Sequence, residues 1–260
     1  MPGTASGAYN PASTTPASRI VTPILSFDIE TVPDVAGIRL LTGFDHTITD
    51  YNVVEYALQR RRAETGQGFV APHLQRVVAI AAVLHDASGV SLYSFGAPEA
   101  DEAATIAGLL ELVEARAPRL VGWRGNAQLA AVRSRALAHG LVAPRFWADG
   151  RADDLADRVA PDGDAPSLVD IARLCGLPAA ERLGPLAVRD AVDAGRLDAV
   201  RAQCESAALA THLLALRLER LAGRLTDAAH HAAQSAVRDA LDAAAPRWRA
   251  LADGWPLDRR

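Results

Sequence analysis

Two carboxylates lie two residues apart in an apolar segment near the start of the chain. Asp28 and Glu30 belong to the run RIVTPILSFDIET, residues 19–31, whose Ile, Val, Leu and Phe content predicts a strand. Side chains alternate across a strand, so both acids are expected on one face. Adjacent buried carboxylates need a cation or hydrogen-bond donors, and Mg²⁺ and Mn²⁺ prefer carboxylate oxygens. The spacing therefore predicts a metal site at Asp28 and Glu30.

Two simpler roles for this acid pair stay open. The strand could lie at a solvent-exposed edge of its sheet, where paired acids cost little. Alternatively, one of the acids could cap the segment that follows. An Asp-x-Glu pair is a weak signal alone, so the interpretation depends on the rest of the chain.

The composition predicts a soluble globular protein. The 260 residues are 50% hydrophobic and 22% charged, an ordinary balance for a folded chain. No run approaches the roughly 20 apolar residues of a membrane-spanning helix. The chain does not open with a charged-then-apolar leader, and two cysteines are too few for a disulfide framework. We expect a reduced, cytoplasmic protein without membrane contact.

The charge pattern argues mildly against nucleic-acid binding. The formal net charge is −4, and the chain has no lysine, so arginine supplies every fixed positive charge. Nucleic-acid-binding proteins usually carry a basic excess. A local arginine patch can still coexist with an acidic total.

Hydrophobic periodicity divides the chain into α/β units followed by helices. Residues 1–19 are rich in Gly, Ala, Ser, Thr and Pro and predict a disordered tail. Strands are predicted at 19–31, 75–85, 89–95 and 119–123, the second and third joined as a hairpin. Helices are predicted at 34–41, 50–64, 101–115, 126–139, 167–176, 185–194, 197–221 and 227–251, with one short helix within 149–167. This order suits a mixed sheet flanked by helices, with a main domain at 20–221 and a helical extension at 222–260.

Several segments resemble one family in a fixed order. FDIETVPD, residues 27–34, resembles the first exonuclease motif of the DEDD superfamily, specifically predicted exonucleases related to the proofreading domain of family B DNA polymerases. The resemblance continues through QRVVAIA (75–81), RLVGWRG (119–125), RALAHGLVAPRFW (135–147), SLVDIARLCGLP (167–178) and AGRLDAVRAQCES (194–206). It implies a ribonuclease H-like α/β fold with a mixed five- or six-stranded sheet. It also implies 3′–5′ exonuclease chemistry with Mg²⁺ or Mn²⁺.

The second motif of that family is altered here. Its approximate pattern is W-N-G-x-G-F-D-L, and the matching segment starts at Trp123. Arg124 then stands at the asparagine, and Leu129 stands at the metal-binding aspartate. We hypothesise that the Arg124 guanidinium lies beside the two acids and replaces the missing cation. The alternative is a surface arginine in a loop.

The third motif is altered as well. Its approximate pattern is Y-C-E-x-D, and Gln203 stands at the tyrosine that orients the attacking water. Ala207 stands at the aspartate that holds metal, while Cys204 and Glu205 match the pattern and support the register. Glu205 precedes Ala207 by two helical positions, about 200° around the axis, so it cannot replace the lost ligand.

These losses predict impaired catalysis. Two-metal phosphoryl transfer holds ions about 4 Å apart and needs several carboxylates to neutralise them. Asp28 and Glu30 are too few, so any binding of Mg²⁺ or Mn²⁺ is expected to be weak. Asp153, Asp154 and Asp157 lie where the family carries an H-x-D-L-x-D stretch, and a remodelled loop could bring one of them to the site.

Two functions follow from the sequence. The first is an exonuclease-related protein that still handles single-stranded nucleic acid, by residual cleavage or by binding alone. The second is a non-enzymatic interaction scaffold that reuses the fold. The apolar stripe of the predicted C-terminal helix, residues 227–251, either packs on its own domain or contacts a protein partner.

Overall fold

One mixed sheet organises the part of the chain that the structure describes. A computed structural model of the protein describes residues 22–96, 100–253 and 255. Within them the strand order is β3-β2-β1-β4-β5, with β1–β2 and β2–β3 antiparallel and β1–β4 and β4–β5 parallel. The strands are β1 (Ile24–Pro33), β2 (Gln75–Asp86), β3 (Gly89–Phe95), β4 (Arg119–Gly122) and β5 (Ala152–Asp154). This mixed sheet and its helices confirm the predicted ribonuclease H-like fold.

Helices cover both faces of the sheet. Several begin at side chains that accept hydrogen bonds from free backbone N–H groups, as at Thr49, Ser167 and Thr226. A short 3₁₀ turn at Pro72–Leu74 precedes β2. The helices are α1 (Val35–Thr42), α2 (Asp50–Thr65), α3 (Glu102–Arg116), α4 (Gly125–Ala138), α5 (Pro144–Asp149), α6 (Leu155–Val159), α7 (Leu168–Leu174), α8 (Pro185–Asp193), α9 (Leu197–Leu221), α10 (Asp227–Asp242) and α11 (Pro246–Ala250).

The central strand β1 separates two hydrophobic clusters. Leu25, Phe27 and Ile29 pack in one cluster with side chains of α3 and α4. The other face of β1 looks towards α9, whose long buried surface belongs to a second cluster. Burial on both faces explains why the strand is almost continuously apolar in sequence. The few polar residues of β1 therefore stand out as candidates for a site.

Two predicted elements differ from the structure. The predicted C-terminal helix is wrong as a single element, because it is divided into α10 and α11 before Pro246. Proline has no N–H and disfavours helical geometry in the preceding residue, here Ala245. Strand β5 lies in the acidic stretch where only a short helix is predicted. Its pairing with β4, not any local pattern, makes it a strand.

The C-terminal helices pack on the protein's own core. Val237 and Leu241 of α10 and Trp248 of α11 are buried in the same cluster as Val83 of β2. This contact uses the apolar stripe that the sequence marks for packing or for a partner. The domain boundary at residue 221 stays a prediction, and the predicted tail at 1–19 lies outside the described residues.

The described helices are not of the membrane-spanning kind. Within residues 22–96 and 100–253, none combines the length and the apolar character needed to cross a membrane.

Candidate functional site

The acid pair lies on one buried face of β1. Asp28 is 2% exposed and Glu30 is 7% exposed, and both project from the face opposite Phe27 and Ile29. The predicted shared face is therefore confirmed. A solvent-exposed sheet edge is excluded, because β1 has a hydrogen-bonded strand on each side.

An arginine from a distant loop bridges the two carboxylates. Arg182 belongs to the segment between α7 and α8. Its Nη1 lies 3.1 Å from Asp28 Oδ2, and its Nη2 lies 2.5 Å from Glu30 Oε1. The Arg182 side chain is about one-third exposed, while those of the two acids are buried. Each acid therefore receives a charge-assisted hydrogen bond from the same cation.

Two glutamine amides complete the contacts of the acids. Gln128 Nε2 of α4 donates to Asp28 Oδ1 at 2.9 Å, and Gln203 Nε2 of α9 donates to Glu30 Oε1 at 2.6 Å. Gln203 also accepts a hydrogen bond from the Leu183 backbone N–H at 2.8 Å. A buried carboxylate needs such donors, since an unpaired charge in the interior is costly. Donors of the protein itself therefore reach both acids, at three of their four carboxylate oxygens.

The electrostatics agree with this geometry. Burial, followed by the charge of Asp28, raises the pKa of Glu30 to about 7, against the lowering effects of Arg182 and Gln203. The Asp28 charge raises the pKa of the Arg182 guanidinium above its usual value, although burial opposes this shift. Arg182 is thus held in its charged form.

The hypothesis that Arg124 pairs with the acids is wrong. Arg124 adopts a left-handed backbone conformation with φ of 53° and stands at the N-cap of α4. Its backbone N–H donates to Asp154 Oδ1 at 2.8 Å, and its Nη2 donates to the Ala165 carbonyl oxygen at 3.1 Å. The cation beside the acids is Arg182 instead.

In the altered second motif, the position of the metal-binding aspartate does not face the acids. Leu129 is buried in the cluster that contains Phe27, on the opposite side of β1 from the acids. The side chain that α4 presents to Asp28 is that of Gln128, one position earlier. A helix turns by about 100° per residue, so one position decides which side of the sheet a side chain meets.

The altered third motif does face the acids. Gln203 contacts Glu30, and Ala207 is buried one turn further along α9. Ala207, Gln203 and Arg182 line one small cavity. Glu205 points elsewhere and accepts hydrogen bonds from the side chains of Ser94 of β3 and Arg247 of α11. This arrangement agrees with the expectation that Glu205 cannot replace the missing aspartate.

The three predicted substitute acids lie elsewhere. Asp154 accepts hydrogen bonds from the backbone N–H groups of Arg124, Asn126 and Ala156. Asp153 pairs with Arg119 of β4, and Asp157 is exposed on α6. The structure does not place them in the cleft that holds Asp28 and Glu30.

The donor set does not fit a two-ion metal centre. Within residues 22–96, 100–253 and 255, no three His, Cys, Asp or Glu side chains form a group able to hold a metal ion. Three of the four carboxylate oxygens of Asp28 and Glu30 already accept hydrogen bonds from a guanidinium or an amide. Magnesium needs near-octahedral oxygen ligands, and two such ions need more carboxylates than these.

A cleft opens above the acid pair. It has a volume of about 790 Å³ and is lined by Arg61, Phe69, Trp123 and Arg124 in addition to the site residues. A smaller pocket of about 300 Å³ adjoins it between β1, α2 and α8. The charged side chains of these two walls are five arginines and three carboxylates: Arg61, Arg62, Arg124, Arg182, Arg189, Asp28, Glu30 and Glu55. The cleft is therefore net positive in a chain of net charge −4.

The mixed five-stranded sheet flanked by helices is consistent with a ribonuclease H-like α/β exonuclease fold. The chain belongs to the family described as predicted 3′–5′ exonucleases related to the exonuclease domain of PolB, whose model matches residues 67–255. The match includes the altered second and third motifs and helices α10 and α11, while β1 with its acids precedes it. No curated protein shows significant similarity to the chain.

Sequence reasoning missed Arg182. The residue follows Glu181 in a loop without periodicity, and it reaches partners more than 150 positions earlier in the chain. The available signal was indirect, because two buried acids without further metal ligands require a positive charge from somewhere.

Proposed function

We propose that this chain is a cleavage-deficient, exonuclease-related protein that binds single-stranded nucleic acid in its cleft. The observation that carries the proposal is the set of side chains facing the acid pair. Gln128, Gln203 and Arg182 occupy these positions, and none of them is a carboxylate. A site with two carboxylates and an internal cation lacks the negative charge that two divalent ions require.

The cleft walls support strand binding. Arg61 and Arg124 line the cleft and supply positive charge for backbone phosphates. Phe69, also in the wall, is 58% exposed and offers an aromatic face for a base. Arg182 offsets the acids at the cleft floor, which lowers their repulsion of phosphate. These features favour the binding of an anionic, unpaired strand.

Cleavage is tested with a single strand labelled at its 5′ end. We expect DNA and RNA strands to keep their length after incubation with the wild-type protein and Mn²⁺. The Asp28→Ala variant is the control for contaminating nuclease, since it removes an acid of the pair. Shortening from the 3′ end by the wild type that is lost in Asp28→Ala would refute the cleavage deficiency.

Binding is tested by a gel shift at low salt, where phosphate contacts are strongest. We expect a shift at micromolar protein that weakens in Arg61→Ala. Arg60→Ala is the matched control, because Arg60 pairs with Glu64 on the same helix and does not line the cleft. If the wild type gives no shift at all, the proposal of strand binding fails.

An interaction scaffold is the alternative function. It is favoured by the acidic net charge and by an acid pair that is closed by the protein's own arginine. A protein partner at the C-terminal helices would have to contact their polar faces, because Val237 and Trp248 are buried in the core. A missing strand complex, together with missing cleavage, would favour this alternative.

A further inference from the structure

We propose that Arg182 is a built-in counter-ion that takes the place of a divalent metal ion between Asp28 and Glu30 and excludes such an ion from the pair. This inference deepens the cleavage deficiency proposed above and does not depend on strand binding. It also names the residue whose removal would open the pair to metal.

The position of the guanidinium is that of a bridging cation. Its two terminal nitrogens contact one oxygen of each acid, at 3.1 Å for Asp28 and 2.5 Å for Glu30. A metal ion bridging these acids through the same oxygens would compete with the guanidinium for them. Because arginine stays protonated at all accessible pH values, the bridge does not open by loss of a proton.

The segment that carries Arg182 is fixed to α9. In residues 178–184, which we call the Arg182 segment, the Ala180 backbone N–H donates to Ser206 Oγ at 2.9 Å, and the Leu183 N–H donates to Gln203 Oε1 at 2.8 Å. Gln203 donates in turn to Glu30. One glutamine therefore ties the Arg182 segment to the acid that its arginine neutralises.

The side chains at the altered third motif suit this arrangement. Ala207 lines the same small cavity as Arg182 and Gln203. The short alanine side chain adds no further charge to this cavity. Gln203 supplies a neutral donor to Glu30 rather than a group that would orient water towards a metal. The two replaced positions and the arginine thus form one connected structure.

The experiment measures Mn²⁺ binding by electron paramagnetic resonance in the absence of nucleic acid. We expect wild-type protein to leave Mn²⁺ free, and Arg182→Ala to bind it at least about tenfold more tightly, because a repelling charge within hydrogen-bond distance is removed. Asp28→Asn combined with Arg182→Ala should lose this binding. Arg173→Ala is the matched control, since Arg173 pairs with Glu181 at the surface.

Thermal unfolding gives a second readout. Arg182→Ala should unfold at a lower temperature than wild type, and Mn²⁺ should raise that temperature in the variant only. Arg182→Gln, which keeps a hydrogen-bond donor without charge, serves if the alanine variant does not fold. Binding of Mn²⁺ by the wild type as tight as in the variant, or no binding by either folded variant, would overturn the inference. Neither readout involves a strand, so failure of strand binding is a separate result.

Discussion

Replacing His212 with glutamine will remove the destabilising contribution of one buried histidine as pH falls from 7 to 5. His212 lies on α9 with no exposed surface, and its ring nitrogens contact Ser26 Oγ at 3.0 Å and His85 Nδ1 at 3.3 Å. A neutral imidazole has one donor and one acceptor, which suit these two contacts. Burial, and then the proximity of His85, lower the pKa of His212 to about 3. The ring therefore stays neutral in the folded protein.

The size of the effect follows from proton linkage. An unfolded histidine titrates near pH 6.5, so acidification from pH 7 to pH 5 protonates it in the unfolded chain alone. The stability that the neutral ring contributes is complete above pH 6.5 and is lost as pH falls, by about 2 kcal/mol at pH 5. Glu30 has the opposite sign: its pKa is raised to about 7, so acidification relieves its burial. Only a comparison with the His212 variant isolates the histidine.

The assay is urea unfolding of wild type and His212→Gln at pH 7 and pH 5. The change in the free energy of unfolding from pH 7 to pH 5 should be about 2 kcal/mol more positive in the variant than in wild type. His231→Gln is the control, because His231 is exposed on α10. Equal pH slopes for wild type and His212→Gln would refute the buried neutral state of this ring.

Three further predictions concern the site and its surroundings. Glu30→Gln should lose the stabilising contribution that Glu30 makes as pH falls through about 7, so acidification should lower its free energy of unfolding relative to wild type in the same urea series. Leu129→Ala should lower the free energy of unfolding in urea by about 2–5 kcal/mol, because Leu129 is 2% exposed. A loss as small as that of substituting an exposed residue would contradict the place of Leu129 in the core. Arg61→Ala and Arg124→Ala should each lower the salt slope of single-strand binding by about 0.7, measured by fluorescence anisotropy, whereas unchanged slopes would place the strand elsewhere.

Elements with strong local periodicity were predictable from the sequence. The helix predicted at 197–221 is α9 with the same bounds, and the hairpin of β2 and β3 is confirmed. Strand β5 was not predictable, since three residues carry no period and its pairing with β4 is a tertiary contact. The break before Pro246 had a local signal in the proline itself.

The charge of the site was predictable, but the partners of its acids were not. The alternation of β1 places Asp28 and Glu30 on one face, and their need for a cation follows from electrostatics. Which arginine pairs with these two acids depends on how the loop before α8 folds over the sheet. The sequence does not distinguish Arg124 from Arg182 as the partner of the acids, whereas the tertiary arrangement does.

The charge balance at the cleft floor is tested most directly by the strand affinity of the wild-type protein with and without divalent ions. If Arg182 serves as the counter-ion of Asp28 and Glu30, the affinity measured in EDTA should equal that measured in millimolar Mn²⁺ at matched ionic strength. Binding that appears only when Mn²⁺ is present would show that the acids rely on metal, and it would contradict the role of Arg182 as their counter-ion.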